Sequence, residues 1–79
     1  MDKALLKYYI EKNGDTMKTL AGVLGIHPNT LSRKVNGADE FTQSEINVIV
    51  ARYNLSPENT MKIFFNDHKV AELDTEEVI

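Results

Sequence analysis

A glycine at position 25, followed by Pro28 and then by the Asn36-Gly37 pair, cuts the stretch LAGVLGIHPNTLSRKVNG (residues 20–37) into two helices of about two turns each. Before the glycine, Thr16 is a good N-cap, and Met17, Leu20, Ala21 and Leu24 recur at the i, i+3, i+4, i+7 spacing of one buried face. After it, His27 serves as a cap and Pro28 fits the first helical position. Ile26 lies where a hydrophobic staple to Leu31 closes, and Leu31 and Val35 continue the inward face. Helices this short are not stable alone, so each apolar stripe has to be covered by neighbours. The chain therefore has to be a packed assembly of short helices.

The remaining sequence supplies the neighbours. Asp2 can cap a first helix, roughly residues 3 to 13, whose Leu6, Tyr9 and Ile10 fall three and four apart, with Gly14 as its left-handed terminator. Thr42 and Glu45 form a capping box and Phe41 and Ile46 a second staple; Ile46, Ile49, Val50 and Tyr53 make a further stripe over about 43 to 53. Ser56-Pro57-Glu58 opens a fifth helix with Met61, Phe64 and Phe65 as its inward side. No strand-like alternation of useful length precedes residue 66. The expected fold class is all-α, a compact bundle of about five short helices forming one domain over residues 1–65. Residues 66–79, NDHKVAELDTEEVI, read as an acidic tail or a dimerisation arm.

Size and composition exclude several functions. A domain of 79 residues hides only about 60 to 65% of its unfolded surface, which leaves no room for a deep substrate cavity beside a core. No run approaches the roughly 18 apolar residues of a membrane span, and the start MDKALLKYYIEKNG lacks the basic flank and cleavage site of a signal peptide. The expectation is a cytoplasmic protein with no membrane partner. The absence of cysteine rules out disulfides and thiolate metal sites. His27 and His68 have no acidic or cysteine partner at ligand spacing, and no nucleophile–base–orienter set or glycine-rich phosphate loop can be assembled. No cofactor, no metal and no enzymatic activity are expected.

Charge is what points to a partner. The tail from Asn66 to Ile79 has five acids and one lysine, so it carries −4 of the net −3 and leaves +1 on residues 1–65. Within that body, Thr16 to Ala38 contains Lys18, Arg33 and Lys34 and no acid at all, and it is the local patch that a partner feels. Opposite Leu31 and Val35 on a helical wheel lie Asn29, Ser32, Arg33 and Asn36, a polar, donor-rich face. Arginine forks onto O6 and N7 of guanine, asparagine onto the edge of adenine, and serine reaches bases or phosphate. Thr16 and Lys18 stand at the start of the preceding helix, where backbone N–H groups also favour phosphate. Lys34 adds a second cation beside Arg33. Two short helices joined across Gly25 match a helix-turn-helix, in which the first braces the second against a duplex.

These residues carry a family likeness. LAGVLGIHPNTLSRKVNG resembles the helix-turn-helix of the Cro/C1-type (lambda-repressor-like) phage and bacterial repressors, and FTQSEINVIVARYNLSPENTMKIFF is similar to helices four and five of that family. The likeness spans roughly residues 3 to 65 and rests on Leu20, Ala21, Leu24, Gly25, Leu31, Asn36 and Gly37. It implies a homodimeric transcriptional regulator, a phage, prophage or mobile-element repressor, on a near-palindromic double-stranded DNA operator. It implies base-facing positions at His27, Pro28, Asn29, Ser32, Arg33 and Asn36, and no catalytic residue. Lys34 departs from the family, standing where many members have an apolar residue, and Met17 replaces a frequent polar one. The rival expectation is a protein-interaction module, an antitoxin or adaptor, holding its partner through Tyr53, the Phe64-Phe65 pair and the acidic tail.

Overall fold

The structure, a computed structural model, describes residues 1–65; the tail or arm read into residues 66–79 lies outside them. The described residues form an all-helical fold: α1 (Lys3–Lys12), α2 (Met17–Leu24), α3 (Pro28–Val35), α4 (Gln43–Tyr53) and α5 (Pro57–Thr60). The last continues without a break into a π-helical turn, Met61–Phe65. None of these helices is long and apolar enough to cross a membrane.

Each start is fixed by the cap that the sequence supplies. Asp2 accepts from the Leu5 N–H, Thr16 from Thr19, Thr42 from Glu45 and Ser56 from Asn59, so an oxygen meets one of the free N–H groups of each first turn. His27 does the same for α3 through Nδ1. The capping box of α4 is complete, with the Glu45 carboxylate accepting from the Thr42 N–H at 2.9 Å.

Leu6 and Ile10 of α1, Leu20 and Ala21 of α2, Leu31 and Val35 of α3, Ile49 and Tyr53 of α4, Leu55 and Ile63 make one buried cluster. Ala21 is fully buried, and its small side chain lets α2 pack directly on α3. Leu31 has no exposed surface, and truncating such a residue to alanine costs about 2–5 kcal/mol.

The fifth helix departs from the sequence expectation. Ile63 is fully buried and Phe64 half-buried, whereas Met61 and Phe65 stand in solvent. The wider π-helical turn re-aims successive side chains, so Ile63 takes the inward place expected of Met61 and Phe65. Phe64 meets Phe41 edge to face, with ring centroids 5.3 Å apart. Tyr53 is also no surface for a partner: it is buried, and its hydroxyl donates to Asp15 at 2.7 Å.

Candidate nucleic-acid interface

The inward side of α3 is Leu31, Lys34 and Val35, all buried; its outward side is Asn29, Arg33 and Asn36, all exposed, with Pro28 and Ser32 half-buried. His27 stands at the head of that face, exposed. Its Nδ1 accepts the Asn29 N–H at 3.0 Å, so in the neutral ring the proton sits on Nε2 and gives a free donor at the tip of α3.

The other end of α3 is closed by a turn with chemical consequences. Gly37 takes φ +87°, a conformation that costs a residue with a side chain, and its N–H bonds to the Lys34 carbonyl at 3.1 Å. The Ala38 N–H reaches back to the Arg33 carbonyl at 2.9 Å, completing the six-to-one and five-to-two bonds of a Schellman motif. That reversal lays Asp39 over Arg33. The Asp39 N–H lies 3.3 Å from the Arg33 carbonyl, and its carboxylate accepts from guanidinium Nε at 2.7 Å and Nη2 at 3.3 Å. This hydrogen-bonded pair is the main reason that Arg33 is held above its ordinary pKa and Asp39 below its own.

Asn36 is also engaged. Its Oδ1 accepts from the Lys3 ammonium at 3.0 Å, and its Nδ2 donates to Ser32 Oγ at 3.4 Å. Lys3, at the start of α1, is thereby brought to the end of α3, a cation on this face that helical-wheel reasoning within residues 16–38 did not reach.

Lys34 has to be removed from the candidate DNA contacts. It is only 9% exposed, and its Nζ donates to Glu45 Oε1 at 2.7 Å, 6.0 Å from the Phe41 ring centroid. The reason is helical spacing: Lys34 follows Leu31 by three residues and so shares its inward face, its aliphatic stem filling the site while the ammonium finds a carboxylate. Burial pushes the Glu45 carboxyl up, but the Lys34 ammonium and the Thr42 N–H together hold it below its ordinary value. One oxygen of Glu45 therefore closes the cap of α4 and ties α3 to it.

Thr16 caps α2 and Lys18 lies in its first turn. Thr16 is spent on capping, its Oγ1 within 3.0 Å of Thr19 Oγ1 and accepting the Thr19 N–H at 3.1 Å. Lys18 is exposed and forms no ion pair among the described residues. A cation in a first turn gains nothing from the helix dipole; the first turns of α1, α2 and α3 hold no acid, and those of α4 and α5 hold Glu45 and Glu58.

Comparison with protein-family models, curated proteins and solved structures gives no match to this chain.

Proposed function

We propose that the chain is a sequence-specific double-stranded DNA-binding regulator. In this reading α2 and α3 form the helix-turn-helix of a Cro/C1-type repressor, and α3 enters the major groove. The observation that carries the reading is the division of α3: three residues buried on one side, with Asn29, Arg33 and Asn36 presented to solvent on the other, and no acid in the first turn. Nothing in the core requires that second face to be rich in donors. His27 and Pro28 would meet the groove first, Asn29, Ser32 and Arg33 would read bases, and Asn36 with Lys3 would flank a phosphate. Lys18 would take a phosphate from the start of α2. Two copies on half-sites about one helical turn apart would give the specificity that one small head lacks. Met61 and Phe65, exposed and four residues apart on the π-helical turn that follows α5, favour that turn as the face on which the second copy sits.

Selection of duplexes from a randomised pool tests this. The expected result is a near-palindromic motif, bound with an affinity that falls steeply as salt rises. Arg33→Ala is expected to weaken binding to the selected duplex by roughly tenfold or more and to relax one base position in each half-site, while Lys18→Ala weakens all duplexes alike and flattens the salt dependence. A chain that selects no motif and binds duplex without salt dependence is not a DNA regulator, and the adaptor reading would then stand.

A further inference from the structure

Arg33 does not stand free on α3. Asp39 grips it from the side, through Nε at 2.7 Å and Nη2 at 3.3 Å. A guanidinium has five N–H donors in a plane, and this grip uses the Nε edge. The opposite end, formed by Nη1 and the second hydrogen of Nη2, keeps parallel donors. Those donors match the O6 and N7 of a guanine, which a side-held arginine would approach end-on.

The position of Asp39 is itself determined. Gly37 at φ +87° and the bonds from the 37 and 38 N–H groups to the 34 and 33 carbonyls fix the turn, and the Asp39 N–H lies on the Arg33 carbonyl. The acid is thus held to the backbone of the residue whose side chain it orients. It is also an acid on a face meant for a polyanion, so it opposes every phosphate contact while favouring one base contact. A residue that only added affinity would not be acidic.

We infer that Asp39 is a specificity-determining residue: it aims the Arg33 guanidinium at guanine and withholds it from the phosphate backbone. The inference rests on the DNA-binding reading above. Removing the carboxylate frees Arg33 to swing to any nearby phosphate, so non-specific binding rises as discrimination falls.

The test uses the full chain and two probes, a randomised duplex pool and one fixed duplex of arbitrary sequence. Asp39→Ala is expected to bind the fixed duplex severalfold more tightly than the wild type at low salt, and to lose about tenfold in guanine preference at one position of each half-site selected from the pool. A thermal melt of the variant matching that of the wild type shows that the fold is intact. Asp39→Asn, which keeps an acceptor for Nε but no charge, is expected to fall between the two. If Asp39→Ala selects the same motif with undiminished guanine preference, while Arg33→Ala alters it, Asp39 does not aim the arginine and this inference alone fails. If the wild type selects no motif, the DNA reading fails and the inference with it.

Discussion

Asp15 and Asp39 each follow a glycine that ends a helix, and each grips an arginine by Nε and Nη2, yet the two pairs do different things. Gly14, at φ +78°, closes α1 with bonds from the 14 and 15 N–H groups to the Glu11 and Ile10 carbonyls at 3.0 and 2.9 Å, the same reversal that Gly37 makes after α3. Asp15 then accepts from Arg52 Nε at 2.7 Å, Arg52 Nη2 at 2.9 Å and the Tyr53 hydroxyl at 2.7 Å. Its side chain is 5% exposed, against 42% for Asp39; the arginines are 36% and 61% exposed. With three donors on a sheltered carboxylate, chiefly the Arg52 guanidinium and then the Tyr53 hydroxyl, the Asp15 pKa falls to about 2. Asp39 has one partner and water beside it. The pair with the sheltered carboxylate ties α4 to the α1–α2 turn through three hydrogen bonds; the more exposed pair holds a side chain that a ligand can still take.

Three substitutions sharpen that contrast. The largest effect belongs to the pair next in sequence to the exposed one: Lys34→Ala leaves Glu45 without its cation and is expected to cost about 3 kcal/mol, read as a lower urea midpoint at constant slope. A midpoint equal to that of Arg33→Ala would mean that Lys34 is no more structural than its neighbour. Asp15→Ala is expected to cost about 2 kcal/mol, since a sheltered hydroxyl and a guanidinium lose their acceptor. The folded pKa of Asp15 is depressed, so its contribution is complete above its ordinary value of 3.8 and disappears as pH falls through about 2. The wild type should lose stability over that window and Asp15→Ala should lose less; parallel acid curves for the two would remove Asp15 as the cause. The smallest effect is expected from Asp39→Ala, whose urea midpoint should match that of the wild type because an exposed pair adds little to stability. A drop as large as that of Asp15→Ala would erase the distinction between the two pairs.

The helix starts were legible because a cap is a local device: Thr42 and Glu45, three residues apart, specify the beginning of α4 without reference to the rest of the fold. The end of α5 was not. Its inward residue depends on a π-helical turn, and that turn meets the start of α1 some sixty residues earlier in the chain, where no local pattern reports it. At the candidate face, spacing correctly set Asn29, Arg33 and Asn36 on the outside of α3 and Leu31 and Val35 inside. Charge groups Lys34 with Arg33, but its spacing from Leu31 puts it inward; its partner Glu45 lies eleven residues on, out of reach of any helical pattern. Asp39 and Lys3 are invisible to a local pattern for a related reason. One stands just past the acid-free run and the other on another helix, and only the folded chain brings them to Arg33 and Asn36.

The Asp2 N–H lies 3.2 Å from the Lys62 carbonyl and 3.3 Å from that of Ile63, so the opening turn of α1 and the π-helical turn after α5 lean on one another. Unravelling either one strips acceptors or donors from the other, which turns two frayable ends into a latch. Closing it means bringing together points nearly the whole domain apart, an entropic toll met late, after the intervening helices have shortened the gap.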